Sequence, residues 1–163
     1  KIKIGINGLG RIGRMIIRSL YEKNYKDIEI KHLNNRSSSE TASHLLKYDT
    51  IHGKFNSQIK SDKKHLIINN KKITYSQHNK LEEIDWKKYG VDYVLECTGK
   101  FNSKEKLLPH LKNGAKKIIV SAPCKQSSSS RIVRLDIPGR YVQGVWSWIE
   151  DALFVRALWY RSI

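Results

Sequence analysis

The sequence predicts an α/β fold, in which a doubly wound and mostly parallel sheet carries one inserted antiparallel hairpin. Three observations predict it. Short β-branched runs alternate with apolar stripes of helical spacing, a glycine-rich turn follows the first run, and Asn69-Asn70 separate two neighbouring runs. Strands that alternate with helices favour a parallel sheet. Asn tolerates the positive φ of a tight hairpin turn, so the last observation adds the hairpin.

The first strand, loop and helix carry the most informative motif. Residues 2–6 form a β-branched run, residues 16–20 form an apolar helical stripe, and between them lie Gly8, Gly10 and Gly13. This G-x-G-x-x-G pattern is meaningful when a strand precedes it and a helix follows it. Gly8 permits a tight turn, Gly10 lets the backbone approach a pyrophosphate, and Gly13 lets the helix lie close to the strand. The helix N-terminus offers unpaired N–H groups to an anion. The motif therefore predicts a Rossmann-like, dinucleotide-binding domain.

The remaining elements follow the same alternation. We predict a strand over residues 28–33, followed by a helix that begins at the capping-box spacing of residues 37–40 and runs through Leu45, Leu46 and Tyr48. A hairpin of residues 66–68 and 73–75 and a buried strand over residues 91–97 come next. The last predicted elements of this part are a helix from Ser103 to a stop at Gly114 and a strand over residues 117–121.

Composition limits the class of protein and its partners. The chain has 163 residues, enough for one domain with a core, and its formal net charge is +16. No apolar run is long enough to span a membrane, and two cysteines without metal-ligand spacing favour a reducing, cytoplasmic location. Because the lysines are scattered, we interpret the charge as a solvated surface. The alternative is a non-catalytic basic module that binds nucleotides or RNA, with binding that weakens steeply with salt.

The composition changes near residue 125. Residues 126–163 contain no Lys, Asn or His but hold 3 of the 4 Trp, and the four serines 127–130 mark the join. We therefore divide the chain into a dinucleotide-binding domain, 1–125, and an unmatched tail, 126–163, for which fusion, frameshift and natural extension are alternative origins. In the tail we predict a strand over residues 131–135 and an apolar helix over residues 142–160. The helix would dock on the sheet, with interfacial membrane binding or disorder as alternatives.

Four segments in order identify a family. GINGLGRIGR at residues 5–14, ASHLLKYDTIHGKF at 42–55, LECTGKF at 95–101 and GAKKIIVSAPCK at 114–125 closely resemble the N-terminal cofactor domain of glyceraldehyde-3-phosphate dehydrogenase. The resemblance implies an oxidoreductase that converts an aldehyde to an acyl phosphate in carbohydrate metabolism, with NAD or NADP as acceptor. The family forms homotetramers, although we expect this chain not to form the full tetramer.

The resemblance also assigns site residues. It implies that Asn7 and the backbone around Gly10, Arg11 and Ile12 hold the cofactor phosphates. It implies further that Thr98 and Gly99 flank the cofactor and that Ser121 lies near its nicotinamide half. The last three end predicted strands, and ligands of doubly wound sheets bind beyond the carboxyl ends of strands.

One departure from the family pattern concerns the choice of cofactor. In NAD-specific relatives an acidic residue follows the Asn that ends the second strand, here Asn34, and binds the ribose hydroxyls. This sequence has Asn35 at that position, followed by Arg36 and Ser37. A carboxylate would repel the 2′-phosphate of NADP, whereas Arg36 and Ser37 offer donors to it. The segment resembles the NADP-preferring bacterial branch, so we predict that NADP is preferred over NAD.

A second departure concerns the chemistry. The family uses a cysteine nucleophile in a Ser-Cys-Thr-Thr-Asn segment and a distant histidine, and neither follows residue 125 here. Cys124 belongs to a different motif, and Cys97 is interpreted as a core residue. His44 and His52 lack a third ligand, so we predict no metal site. We expect the chain to end before the catalytic domain, to contain no catalytic residue and to be inactive alone.

Overall fold

The computed structural model describes residues 1–121 and 132–134. The elements in chain order are β1 (Ile2–Asn7), α1 (Arg11–Glu22), β2 (Ile28–Asn34), α2 (Ser39–Lys47), β3 (Tyr48–Asp49), β4 (Gly53–Lys54), β5 (Ile59–Asp62), β6 (His65–Ile68), β7 (Lys71–Ser76), a 3₁₀ turn (Leu81–Glu83), β8 (Tyr93–Glu96), α3 (Lys104–Lys112), β9 (Lys117–Val120) and β10 (Ile132–Arg134).

An eight-stranded sheet organises these elements, in the order β10-β9-β8-β1-β2-β7-β6-β5. Every pair from β10 to β7 is parallel, whereas β5, β6 and β7 pair in antiparallel fashion. The strand order reverses direction at β1, which lies between β2 and β8. The predicted Rossmann-like, doubly wound sheet with an inserted hairpin is confirmed, and the reversal at β1 creates the crevice in which such sheets bind ligands.

Apolar side chains cover both faces of the sheet. Leu95 of β8 and Ile119 of β9 belong to the cluster that includes residues of α1 and α2. Their neighbours in sequence, Val94 and Ile118, belong to two further clusters built around Trp86 and Leu107. Successive residues of a strand point to opposite faces, so this division shows that the sheet is buried on both sides.

The boundaries of α2 differ from the prediction. The helix begins at Ser39, and its N-cap is Ser38, whose Oγ accepts a hydrogen bond from the backbone N of Thr41 at 3.2 Å. The capping-box spacing predicts the cap one residue earlier, at Ser37. The helix also ends at Lys47, so the prediction that it runs through Tyr48 is wrong. Tyr48 pairs with Lys54 in the short β3–β4 ribbon instead, and its side chain is exposed.

The predicted hairpin is confirmed as β6 and β7. Asn69 and Asn70 have φ angles of +47° and +65°, the positive values that a two-residue hairpin turn requires. Two features beside the hairpin were not predicted. The strand β5 pairs with β6, and β7 continues the sheet in parallel with β2.

One predicted element of the tail lies within the described residues. The strand predicted over residues 131–135 is observed as β10, and it pairs in parallel with β9. It therefore extends the sheet from beyond the predicted boundary at residue 125. The serine join and the helix predicted over residues 142–160 lie outside the described residues.

Candidate functional site

A cleft of about 210 Å³ opens at the carboxyl ends of β1, β2, β7 and β8. This is the edge of the sheet at which its strand order reverses. Residues from the predicted site and residues that follow β7 and β8 form its wall. The lining comprises Asn7, Gly8, Gly10, Asn34, Asn35, Arg36, His78, Asn79, Leu81, Cys97, Thr98, Lys100 and Phe101.

The three glycines of the first loop have different surroundings. Gly8 has a φ of +95°, and a Cβ there would lie 2.8 Å from the backbone N of Thr98. A Cβ on Gly13 would overlap the carbonyl oxygen of Gly8. A Cβ on Gly10 would meet no atom within 4 Å. Packing thus requires glycine at Gly8, against Thr98, and at Gly13, against Gly8 itself, whereas Gly10 faces open space that a ligand can occupy.

The N-terminus of α1 has no side-chain cap. Arg11 and Ile12 begin this helix after Gly10, and its first turn contains no acidic residue. The first four N–H groups of a helix lack intrahelical partners, and together with the helix dipole they favour an anion. The turn therefore suits a phosphate group.

A chain of buried amide hydrogen bonds crosses the sheet beneath the cleft. Asn34 Nδ2 donates to Asn7 Oδ1 at 2.8 Å and to the carbonyl of His78 at 3.1 Å. Asn34 Oδ1 accepts from Ser76 Oγ at 2.7 Å and from the backbone N of His78 at 2.9 Å. The side chain of Asn34 is thereby saturated, so its amide acts on the site by fixing Asn7 and the segment after β7.

The loop after β2 is tied to the glycine loop by Asn35. Asn35 Oδ1 accepts from the backbone N of Leu9 at 3.1 Å, and Asn35 Nδ2 donates to Ser37 Oγ at 2.7 Å. The neighbouring Arg36 is exposed at the cleft wall, and no described residue pairs with its guanidinium group. The position after Asn34 therefore presents a neutral amide beside an available cation.

The remaining predicted residues lie after β8 and β9. Thr98 contributes to the cleft wall, and Gly99 follows with a φ of +71°. Ser121 is buried, and its backbone N donates to the carbonyl of Glu96 at 3.0 Å. These three residues thus lie around the end of β8, at the edge of the sheet where the cleft opens.

Cys97 is the cysteine that lies among the described residues, and it lines the cleft as a buried thiol. Burial raises the pKa of this thiol to about 12; the charge of Glu96 adds to the rise, and a hydrogen bond with Ser121 opposes it. The thiolate is the nucleophilic form of cysteine, so this side chain is chemically inert at neutral pH.

Sequence reasoning missed several lining residues. His78 and Asn79 follow β7, and Leu81 begins the 3₁₀ turn. The strand that precedes them carries the pattern of a hairpin strand, which gives no sign that its carboxyl end lies beside those of the parallel strands. Lys100 and Phe101 directly follow the predicted Thr98-Gly99 pair, and extending that segment by two residues would have included them.

The two histidines considered as metal ligands have other contacts. His52 Nδ1 lies 3.1 Å from Asp49 Oδ1, and the ring of His44 packs at 5.1 Å from that of Tyr48. Within residues 1–121, no group of three or more His, Cys, Asp or Glu side chains is placed to hold a metal ion. No helix in the part of the chain that the structure describes has the length and apolar character needed to cross a membrane.

Comparison with known proteins agrees with this geometry. The family described as the NAD-binding domain of glyceraldehyde 3-phosphate dehydrogenase matches residues 2–104. Glyceraldehyde-3-phosphate dehydrogenase 2 of Bacillus subtilis is 42% identical over 125 residues, which cover 77% of this chain and 36% of the relative. The plasmid-encoded enzyme of Cupriavidus necator is 43% identical over 133 residues, 81% of this chain and 40% of the relative. This chain therefore spans less than half the length of these relatives, and it belongs to the glyceraldehyde-3-phosphate dehydrogenase family through that family's NAD-binding domain.

Proposed function

We propose that the cleft binds a nicotinamide dinucleotide and that it prefers NADP over NAD. The pyrophosphate would lie on the uncapped N-terminus of α1, above Gly10. Asn7, Gly8, Arg11, Ile12 and Gly13 would shape this part of the site. The open space above Gly10 supports this placement, since a phosphate needs close approach to the backbone.

The proposed preference for NADP over NAD rests on the surroundings of Asn35. Its amide bridges the backbone N of Leu9 and Ser37 Oγ, and the exposed Arg36 stands beside it. A carboxylate at this position would repel a 2′-phosphate, whereas an amide does not. The Arg36 guanidinium would form charge-assisted hydrogen bonds with that phosphate, and Ser37 Oγ lies within the same loop.

The other end of the dinucleotide would extend toward β8 and β9. Thr98 and Gly99 would flank the cofactor, and Ser121 would lie near its nicotinamide half, as the family resemblance implies. Leu81 and Phe101 supply apolar surface to the cleft, which suits the flat adenine base. Asn34 would act through Asn7 because its own amide is saturated.

The sharpest test exchanges the amide for a carboxylate of the same shape. In the Asn35→Asp variant the carboxylate can still accept from the N–H of Leu9, while the hydroxyl of Ser37 can turn to donate. We expect NADP to bind at least about tenfold more weakly and NAD to bind as well as before or better. Titration calorimetry with both cofactors measures the ratio of dissociation constants.

Two further variants separate a local effect from a general one. Arg36→Gln should weaken NADP binding selectively, with little change for NAD. Lys60→Gln removes one charge from β5, away from the cleft, and should leave the ratio unchanged. An unchanged ratio in both Asn35→Asp and Arg36→Gln would contradict the proposed preference.

We propose further that this chain is the cofactor-binding half of an aldehyde oxidoreductase and turns over no aldehyde by itself. The support is chemical: Cys97 is inert, and the sequence contains no Ser-Cys-Thr-Thr-Asn segment. Phosphate-dependent reduction of NADP by the purified chain with glyceraldehyde 3-phosphate would contradict this. A cytoplasmic location and an assembly smaller than a tetramer belong to the same proposal, and light scattering on the purified chain tests the second.

A further inference from the structure

A buried carboxylate lies behind the cleft, at the end of β8. Glu96 is 1% exposed. Its Oε2 accepts from Asn7 Nδ2 at 2.6 Å and from His110 Nε2 at 2.9 Å. Its Oε1 accepts from the backbone N of Thr98 at 2.9 Å and from Thr98 Oγ1. Both oxygens are thus held by donors, and three of these four donors belong to Asn7 and Thr98, two proposed cofactor-binding residues.

The hydrogen bonds of His110 fix its protonation. Trp86 Nε1, which can only donate, lies 2.9 Å from His110 Nδ1. The Nδ1 atom is therefore the acceptor, so the ring is neutral and carries its proton on Nε2. That proton points to Glu96. The imidazole is 0% exposed, so the tautomer is shielded from solvent.

The partners of Glu96 converge on one buried group. Asn7 and His110 donate to Oε2, and the backbone N and hydroxyl of Thr98 contact Oε1. Within residues 1–121, no lysine or arginine forms an ion pair with this side chain. Several hydrogen bonds to one buried carboxyl group hold its partners in fixed positions.

We propose that Glu96 is a positioning residue of the dinucleotide site, an inference that rests on the proposed function. Asn7 directly precedes the glycine loop, and Thr98 packs against Gly8. By binding both side chains, the carboxylate holds the glycine loop and the turn after β8 at a fixed distance from each other. His110, held by Trp86 in its Nε2-protonated form, fixes the carboxylate in turn.

The first test replaces one acceptor oxygen by a donor. Glu96→Gln must release either Asn7 and His110 or the backbone N–H of Thr98, because its NH₂ group cannot accept from them. We expect NADP affinity to fall about tenfold or more, with the loss shared by NAD. Val94→Ala is the matched control: it lies on the same strand, is fully buried, and packs in the cluster around Trp86. It should lower the melting temperature while changing affinity less than about twofold.

A second pair of variants separates positioning from packing. Gln at position 110 can donate to Glu96 and accept from Trp86, whereas Leu can do neither. His110→Gln should therefore bind NADP nearly as the wild type does, and His110→Leu should bind several-fold more weakly. If His110 only fills space, the two variants will have equal affinities, and that result would overturn the inference.

The outcomes distinguish this inference from the proposed function. Failure of the wild-type chain to bind either dinucleotide would refute both. Normal binding by the wild type together with unchanged affinity in folded Glu96→Gln and His110→Leu would overturn the positioning role alone. If circular dichroism shows that these variants do not fold, ¹⁵N chemical shifts of His110 in the wild type decide. A proton on Nε2 alone supports the arrangement, and a proton on Nδ1 overturns it.

Discussion

At the scale of single residues, burial determines how Cys97 and His32 ionise. The thiol of Cys97 is 8% exposed and its pKa is raised to about 12. At pH 8 only about one molecule in 10⁴ would carry the thiolate, compared with a sizeable fraction for a free cysteine. The position of this residue beside the cleft therefore does not make it a nucleophile.

We predict that Cys97 resists thiol reagents in the folded chain. In a Cys124→Ser variant, Cys97 is the remaining cysteine. Ellman's reagent at pH 8 should release less than about a tenth of an equivalent from the native protein over an hour and one full equivalent after denaturation. Stoichiometric release within minutes from the native protein would refute the assignment.

His32 has a fully buried ring that stacks on Tyr89, with their centroids 3.7 Å apart. Its Nδ1 lies 2.8 Å from Thr74 Oγ1 and its Nε2 lies 2.8 Å from Ser76 Oγ. Burial lowers the pKa of His32 from 6.5 to about 3, with a smaller contribution from the charge of His78. The hydroxyl groups of Thr74 and Ser76 donate their protons to the carbonyl of Lys31 and to Asn34 Oδ1. The single N–H of the neutral ring therefore donates to one of the two hydroxyl oxygens.

This shift predicts a pH dependence of folding with a definite sign. Because the folded state resists protonation, the unfolded state binds more protons between pH 6.5 and 3. The free energy of unfolding should therefore fall as pH drops through this window, by up to about 1.4 kcal/mol per pH unit. Urea titrations at pH 7.0, 6.0 and 5.0 measure this change in the free energy of unfolding.

Two variants isolate the contribution of His32. His32→Gln removes the titration while retaining hydrogen-bonding capacity, so its stability should depend less on pH between 7 and 5 than that of the wild type. His65→Gln, which removes a partly exposed histidine beside Asp62, should keep the wild-type slope. Equal slopes in the wild type and His32→Gln would show that the folded state accepts the proton.

Single residues also show what sequence could and could not predict about the site. Asn35, Arg36 and Ser37 were predicted because a family position pointed to them. Glu96 was not, since a carboxylate inside an apolar run gives no sign of its partners. Thr98 is a local partner, but Asn7 and His110 lie on β1 and α3 and meet Glu96 only after these elements have folded together.

At the scale of elements, Gly10 and Gly13 have different structural roles in the loop between β1 and α1. Gly13 lies against the carbonyl of Gly8, whereas Gly10 faces the open cleft. The same substitution at these two positions therefore tests packing and ligand approach separately.

We predict that alanine at position 13 mainly lowers stability, whereas alanine at position 10 mainly weakens dinucleotide binding. Gly13→Ala should destabilise the fold by about 2 kcal/mol or more, because the added methyl overlaps backbone atoms. Gly10→Ala should change stability by less than about 1 kcal/mol, since its φ is ordinary and the space is empty, yet it should weaken dinucleotide binding. Thermal melts and titrations on both variants measure these effects. Normal dinucleotide binding by Gly10→Ala would place the pyrophosphate elsewhere.

Most elements could be predicted because their signals are local. The β-branched runs of β1, β2, β8 and β9 and the Asn-Asn hairpin turn contain their own signals. The end of α2 could not be predicted in this way: Tyr48 continues the helical spacing, but its backbone pairs with Lys54. The parallel pairing of β7 with β2 likewise depends on tertiary packing. Because this pairing was not predicted, His78 and Asn79 were not predicted to line the cleft.

At the scale of the whole molecule, one sheet connects the residues proposed to bind the cofactor. A hydrogen-bonded series runs from Ser76 through Asn34 and Asn7 to Glu96, joining the carboxyl ends of β7, β2, β1 and β8. The sheet continues to β10, so residues after the compositional change pair with those before it. The net charge of +16 remains compatible with the alternative of RNA binding, which salt dependence and competition by NADP would test.

The most direct test of the central claim is calorimetric titration of the full chain with NADP and then with NAD, under identical conditions. The structure places a neutral Asn35 and an available Arg36 at the cleft, so we predict that both bind and that NADP has the lower dissociation constant. Tighter binding of NAD, or no binding of either dinucleotide, would contradict the account.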